Sequence, residues 1–167
     1  MQAMSPAVLR DGSEVELRPL EPADRERIKR LFFRLSPESV YRRFLSPIQE
    51  PSEVGLDRLL DIDHAGREAV AAVVKDEVVG VARYFRADGA TEADIAVLVE
   101  DAWQGRGLSL LLVDRLASLA RSRGITRFTA IILSQNRPAI AVVRRAFPNA
   151  SFKLDGTEVS ASMEIGR

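Results

Sequence analysis

Gln104-Gly105-Arg106-Gly107-Leu108-Ser109 is a glycine-containing loop between an apolar stretch, residues 93–99, and the most regular helical pattern of the chain. The stretch before the loop is rich in β-branched residues and predicts a strand. After the loop, leucines recur at three- or four-residue spacing up to Gly124, which predicts an amphipathic helix. Glycines allow a tight turn and present backbone amides to an anion. The loop therefore predicts a diphosphate site, with an ordinary strand-to-helix turn as the alternative.

Two common nucleotide-binding fingerprints do not fit this loop. A dinucleotide fingerprint needs a third glycine where Leu110 stands, and an acidic residue about twenty positions later, where the chain has Ile125-Thr126-Arg127. A phosphate loop of nucleotide hydrolases needs Gly-Lys-Ser/Thr, which the sequence lacks. The loop therefore indicates neither a dinucleotide-binding protein nor a nucleotide hydrolase.

Length and composition limit the class of protein. The chain has 167 residues, which predicts one domain over residues 1–167, and its 46% hydrophobic and 29% charged residues are typical of a globular protein. The 24 basic and 24 acidic residues cancel, which disfavours nucleic acid or an anionic membrane as a partner. The sequence has no cysteine and one histidine, so we expect no disulfide, thiol nucleophile or metal site. It has no secretion signal or long apolar run, so we expect a cytoplasmic protein.

The rest of the sequence places strand and helix patterns around the central unit. An Asp11-Gly12 turn and the alternation from Glu14 to Leu17 predict a first strand or hairpin. The order predicts an α/β fold with one mixed, mostly antiparallel sheet of about six or seven strands and helices on both faces. The other predicted elements are helices with apolar spacing from Ile28 to Leu35, from Ser36-Pro37 and at 52–60, strands at 69–74, 78–82 and 128–133, a helix at 138–147, and a terminal hairpin around Asp155-Gly156.

Two segments together resemble the GNAT superfamily of N-acetyltransferases. Gln104, Gly107 and Ser109 occupy the defined positions of the acetyl-CoA signature Gln/Arg-x-x-Gly-x-Gly/Ala, with serine as a small departure. The second segment, a strand leading to Asn-x-x-small, is matched by residues 133–139 with Asn136. The resemblance extends over essentially the whole chain and implies a single GNAT-like domain. It implies acetyl-CoA as co-substrate, bound by Val97, Leu98, Val99, Gln104, Gly105, Arg106, Gly107, Leu108, Ser109 and Asn136.

A narrower resemblance is to the catalytic domain of bacterial protein lysine acetyltransferases. In that group a glutamate on the central strand acts as the base, and the matching position here is Asp94, a shorter acid. Glu92 is the alternative base, and a solvated carboxylate paired with an arginine is the alternative interpretation of Asp94. The stretches that carry the resemblance are 9–13, 17–20, 34–39, 42–44, 63–64 and 79–84.

Acetyl transfer to an amine needs a base, amide donors for the thioester oxygen, and groups that hold the co-substrate. A lysine has a pKa of about 10.4 and must lose a proton to attack a thioester, so Asp94 is expected to accept that proton directly or through a water. The thioester oxygen needs amide donors, expected at Leu98 or Val99. Asn136 is expected either to cap the following helix or to bind the pantetheine arm. Many family members place a tyrosine on the last helix as general acid, but residues 136–147 contain none, so no general acid is assigned.

These observations lead to one main functional prediction and two alternatives. The main prediction is an acetyl-CoA-dependent N-acetyltransferase that acts on a protein lysine. The first alternative keeps the donor but transfers acetyl to a small amine, such as an amino acid, a polyamine or an antibiotic, because no motif identifies the acceptor pocket. The second is a non-catalytic sensor that binds coenzyme A, which the short acid at Asp94 and the missing tyrosine keep open.

Overall fold

The structure is a computed structural model, described over residues 5–44 and 52–166, with the side chains of residues 41–44 excluded. The described chain forms one sheet with helices between and around its strands. Its elements are β1 (Ser5–Val8), β2 (Glu14–Pro19), α1 (Arg25–Phe33), α2 (Pro37–Phe44), α3 (Glu53–Leu60), β3 (Arg67–Val74), β4 (Glu77–Arg86), β5 (Glu92–Val99), α4 (Leu108–Ser122), β6 (Arg127–Leu133), α5 (Arg137–Ala146), β7 (Ser151–Asp155) and β8 (Glu158–Glu164).

The eight strands lie in the order β1-β2-β3-β4-β5-β6-β8-β7. Neighbouring strands are antiparallel except β5 and β6, which are parallel. The mixed α/β sheet confirms the predicted fold class, but its strand number exceeds the predicted six or seven. The additional strand is β1, because the Asp11-Gly12 turn, with Gly12 at φ +87°, pairs residues 5–8 with 14–17 as a full hairpin.

Two apolar layers cover the two faces of the sheet. Helices α4 and α5 pack on one face, where Leu112, Phe128 and Met163 are buried. Helices α1 and α3 pack on the other face, where Leu31 and Leu56 are buried. Successive strand residues point to opposite faces, and a central strand such as β3 is therefore apolar almost throughout.

The same alternation decides which way the residues of β5 point. Ala93, Ile95 and Val99 are buried in the layer beneath α4. Asp94 and Leu98 therefore belong to the opposite face, and Leu98 packs against the layer of α1 and α3. The predicted base and the predicted cofactor loop are consequently held by one strand.

A buried ion pair fixes the start of α1 to β2. Arg18 Nη2 lies 2.7 Å from Asp24 Oδ1, and the Glu21 amide donates to Asp24 Oδ2 at 2.8 Å. Burial alone raises the pKa of Asp24, but the hydrogen bonds from Arg18 and Glu21 outweigh it and hold that pKa below its ordinary value. This pair therefore fixes the start of α1 relative to β2.

None of the helices in the described ranges is both long and apolar enough to cross a membrane.

Candidate functional site

Strands β5 and β6 separate part of the way along their length. They pair only from Glu92 to Asp94 on β5 and from Arg127 to Thr129 on β6. Beyond these residues β5 continues to Val99 and β6 continues to Leu133, but the two strands no longer pair with each other. The sheet therefore opens on the side where the β5–α4 loop and the start of α5 lie.

A cavity of about 570 Å³ occupies this opening. All ten residues predicted to bind the cofactor line it: Val97, Leu98, Val99, Gln104, Gly105, Arg106, Gly107, Leu108, Ser109 and Asn136. The sequence did not point to several other lining residues, among them Arg10, Ser39 and Ile131. Residues from both faces of β5 line the cavity, so it lies in the gap between the strand edges rather than on one face.

Backbone direction along β5 identifies which amides face this gap. The Glu100 amide donates to the Val79 carbonyl of β4 at 2.8 Å. Peptide groups alternate between the two edges of a strand, so the amide of Leu98 also points to β4 and those of Val97 and Val99 point into the gap. The Val99 carbonyl agrees, because it accepts a hydrogen bond of 3.0 Å from the side chain of Gln104. Of the two expected oxyanion donors, only Val99 faces the gap.

The loop after β5 forms an open anion cradle at the start of α4. Gly105 and Gly107 have φ values of +77° and +88°, a conformation that L side chains rarely adopt. Gly107 precedes the first turn of α4, which contains no acidic residue and has no side-chain cap. The first amides of a helix lack internal partners and attract anions. The loop therefore offers an anion site of the kind that suits a diphosphate.

Gln104 holds the loop in place. Its Nε2 donates to the Val99 carbonyl at 3.0 Å and to Ser39 Oγ of α2 at 3.1 Å. Asp101 completes the network, since it accepts hydrogen bonds from the Ser36 amide at 2.9 Å and from Ser39 Oγ at 3.1 Å. Burial alone raises the pKa of Asp101, but these bonds outweigh it and lower that pKa. Helix α2 is thereby tied to the cofactor loop.

Two arginines meet where the β1–β2 hairpin contacts this loop, Arg106 from the loop itself and Arg10 from the hairpin. Arg106 stacks on Trp103 at 4.6 Å and lies 3.4 Å from Asp11 at the hairpin tip. Arg10 packs against the loop, so that a Cβ added at Gly107 would lie 3.2 Å from its Nε. No motif assigned Arg10 to this loop, because its contact with the loop depends on the tertiary position of the hairpin.

Asn136 does cap α5. Its side-chain oxygen accepts a hydrogen bond of 3.3 Å from the Ala139 amide, and the residue also lines the cavity. The cap uses the side-chain oxygen, and the side-chain amino group makes no hydrogen bond with any residue that the structure describes. The two roles expected from the sequence are therefore compatible.

Asp94 lies at the point where the two strands separate. Its side chain is exposed, and its Oδ1 accepts a hydrogen bond of 3.1 Å from Thr129. Asp94 does not line the cavity, but Ala96, two residues further on the same face, does; that spacing corresponds to about 7 Å along a strand. Glu92 is also exposed and lies about 7 Å further away. Within the described ranges, no ion pair joins Asp94 to an arginine.

The tyrosines and the histidine occupy other places. Tyr84 is buried beneath α4 and accepts a hydrogen bond of 3.2 Å from Arg123. Arg123 and His64 both contact the buried carboxylate of Glu68, with His64 Nδ1 at 3.0 Å. The side chain of Tyr41 lies outside the described part of the chain. None of these contacts supplies a general acid at the cavity.

The fold and the site define a class of protein. The profile of the Acetyltransferase (GNAT) family matches residues 30–147. The chain belongs to this family, and it is an acyltransferase enzyme. Two more distant structures with this fold, at 18% and 12% identity, were solved with acetyl-CoA and with coenzyme A.

Three individual acetyltransferases are similar to this chain in sequence or in structure. The chain is 36% identical over 133 residues to acetyltransferase PA5475 of Pseudomonas aeruginosa, covering 77% of this chain and 72% of that protein. It is 34% identical over 139 residues to the acetyltransferase Pat of Mycolicibacterium smegmatis, covering 78% of this chain and 40% of that longer protein. The GNAT domain of S. lividans PAT superposes with a TM-score of 0.91 at 33% identity, over 96% of each chain.

Proposed function

We propose that this protein transfers the acetyl group of acetyl-CoA to the side-chain amine of a lysine in a protein. The observation that carries the proposal is the gap between β5 and β6. There the free amides of Val97 and Val99 and the glycine loop lie at one end, and Asp94 lies at the other.

The cavity residues fit acetyl-CoA in charge and in shape. The amides that begin α4 at Gly107 suit the diphosphate, and Arg106 and Arg10 add positive charge beside them. The edge amides of β5 suit the carbonyl groups of the pantetheine arm, much as they would pair with another strand. When bound, acetyl-CoA supplies an activated thioester.

The reaction needs a free amine and stabilisation of a developing negative charge. Asp94 accepts a proton from the lysine ammonium, and the lysine nitrogen then forms a bond to the thioester carbon. The Val99 amide stabilises the carbonyl oxygen as negative charge develops on it. The carbon–sulfur bond breaks and the sulfur leaves as a thiolate, while the second proton of the attacking nitrogen passes to water or to that thiolate. The thiolate needs no dedicated acid because a thiol pKa is about 8.5.

Asp94 reaches the amine through a water molecule in this proposal. The carboxylate lies about two residues of strand from the cavity lining, roughly 7 Å, which exceeds a direct hydrogen bond and suits one intervening water. Thr129 fixes one oxygen of Asp94 at 3.1 Å, and the other oxygen is free to take part in the relay.

The surface beside Asp94 favours a lysine on a protein over a small amine. Phe85, the cross-strand neighbour of Asp94, and Ile131, which also lines the cavity, are both large and exposed. They offer an open apolar passage for the four methylene groups of a lysine stem. An open face accommodates a protein surface, whereas a small acceptor is usually held in an enclosed pocket.

The decisive experiment measures thiol release from acetyl-CoA with three kinds of acceptor: a lysine-containing protein mixture, polyamines, and free amino acids. We expect release with the protein mixture, and mass spectrometry should locate the acetyl group on lysine side chains. Release only with small amines would show that the acceptor is a small amine and not a protein lysine. Binding of acetyl-CoA without release for any acceptor would support a non-catalytic sensor instead.

A further inference from the structure

Arg83 of β4 lies on the same sheet face as Asp94. It pairs with Ala96 of β5, and Phe85, two residues later, pairs with Asp94. Residues that are opposite each other in an antiparallel pair, or two apart on a strand, share a face. Arg83 is therefore a diagonal neighbour of Asp94, within reach of a long side chain, and it adjoins the stretch of β5 that lines the cavity.

The guanidinium group of Arg83 lacks hydrogen-bond partners within the described part of the protein. Its Nε is buried and has no hydrogen-bond partner. Arginine remains charged in proteins, and a buried donor without a partner is costly. Other arginines nearby are paired: Arg67 with Asp61 and Arg127 with Glu164. Across the described residues, no ion pair of Arg83 is found.

The electrostatic surroundings of Arg83 agree with this geometry. Burial is the largest influence and lowers its pKa, the Asp94 carboxylate raises it, and Arg67 lowers it. The effect of Asp94 on Arg83 is thus electrostatic and involves no hydrogen bond between them, since the side chain of Asp94 is hydrogen-bonded to Thr129 instead. Arg83 retains the capacity to bind a further anionic group.

We propose that Arg83 binds a carboxylate of the acceptor and so makes the enzyme selective for lysines with an acidic neighbour. The inference rests on the proposed function, because it concerns the acceptor of that same site. A carboxylate suits a guanidinium in charge and in geometry. The phosphates of coenzyme A are the other anions that Arg83 could bind. The loop that suits them begins beyond Val99, which lies three residues or about 10 Å along β5 from Ala96, the residue that pairs with Arg83.

The test is a set of short peptides with one lysine and one glutamate, the glutamate being placed at each position from three before to three after the lysine. Each peptide has a matched partner with glutamine in place of glutamate. Free Nα-acetyl-lysine and its amide distinguish an α-carboxylate from an acidic side chain. With the unchanged protein, we expect KM for the best glutamate peptide to be about tenfold lower than for its glutamine partner.

Arg83→Gln should remove this preference. KM for the glutamate peptide should rise about tenfold, and KM for the glutamine peptide should stay within a factor of about two. The melting temperature should not fall, because the substitution removes a buried charge with no partner. Arg127→Gln is the matched control: it removes an arginine from β6 that already pairs with Glu164, and it should keep the preference.

Two results would overturn the Arg83 assignment and leave the proposed function intact. One is a preference that persists in Arg83→Gln. The other is an equal fall in kcat for both peptides with a shifted pH profile, which would show that Arg83 acts only on the charge of Asp94. If the unchanged protein binds acetyl-CoA but acetylates neither the peptides nor the lysines of the protein mixture, the lysine acceptor itself is wrong, and the Arg83 assignment fails with it.

Discussion

The carboxylate of Asp94 is the residue on which turnover should depend. Asp94→Asn keeps the size of the side chain and an oxygen that can accept from Thr129, but it removes the basic group. We expect acetyl-CoA to bind with unchanged affinity and kcat to fall by about 10² to 10⁴. The loss should shrink as the pH rises, because more of the acceptor amine is then already deprotonated. Calorimetry and thiol release measure the two quantities separately.

Glu92→Gln is the control for Asp94→Asn. Glu92 is exposed and lies two residues further from the cavity. We expect this variant to keep its rate. A loss of rate in Glu92→Gln with normal turnover in Asp94→Asn would assign the base to Glu92.

Gly107 should be the residue of the cofactor loop most sensitive to substitution. Its φ of +88° disfavours any side chain, and a Cβ there would lie 3.2 Å from Arg10. A valine at this position should disturb the loop amides and weaken binding of coenzyme A by roughly 1–3 kcal/mol. Titration calorimetry of the folded variant tests this expectation.

Gly89→Val separates backbone strain from binding. Gly89 has a similar φ of +75°, no neighbour within 4 Å of an added Cβ, and no place in the cavity lining. Gly89→Val should lower stability by a similar amount and leave the affinity for coenzyme A unchanged. An equal loss of affinity in both variants would mean that strain, and not the cradle at Gly107, weakens binding.

The sequence predicted residues that act through local geometry better than residues that act through tertiary contacts. Gly107 and Asn136 follow from the loop and cap patterns that surround them. Arg10 was missed, since its contact depends on the hairpin meeting a loop about a hundred residues away. The role proposed for Arg83 likewise depends on strand register, which no local pattern predicts. Gln104 was predicted to bind the cofactor, which stays a prediction; the structure shows that its side chain joins the loop to Ser39 of α2.

At the level of elements, the attachment of α1 to β2 depends on the pair Arg18–Asp24. Asp24 is buried, so Asp24→Asn should cost about 1–3 kcal/mol of unfolding free energy at pH 7. The folded pKa of Asp24 is lowered, so its contribution is complete above the unfolded pKa of about 3.9 and is lost as the pH falls through the folded value. Chemical denaturation at pH 7 and near pH 3 should therefore show a penalty that shrinks in acid.

Asp57→Asn provides a comparison within the same region. Asp57 is exposed and pairs with Arg25 of α1 at 2.7 Å. Exposed pairs contribute about 0–1 kcal/mol, so this variant should be nearly neutral at both pH values. A penalty for Asp24→Asn that is as large near pH 3 as at pH 7 would show that the ionised pair is not what stabilises α1.

At the scale of the whole molecule, the sequence predicted the layers of the fold but not the opening within its sheet. The apolar spacing of β3, β5 and α4 was sufficient to place helices on both faces. The separation of β5 from β6 has no local signal, because both strands remain apolar and β-branched beyond Asp94 and Thr129. β1 was likewise undercounted, since four residues beside a turn do not reveal that they pair along their whole length.

The two halves of the sheet meet through a short pairing, so a ligand in the gap should change hydrogen exchange in a pattern specific to β5. The amides of Val97 and Val99 point into the gap, whereas those of Ala96 and Leu98 point toward β4. At saturating coenzyme A we expect exchange at Val97 and Val99 to slow at least about tenfold more than at Ala96 and Leu98, because hydrogen bonds to the ligand replace water. Residue-resolved exchange by NMR measures all four amides of one strand, and the two that face β4 correct for any general stabilisation. Equal slowing at all four amides, at full occupancy of the ligand, would contradict the inferred direction of the backbone and remove Val99 as the oxyanion donor.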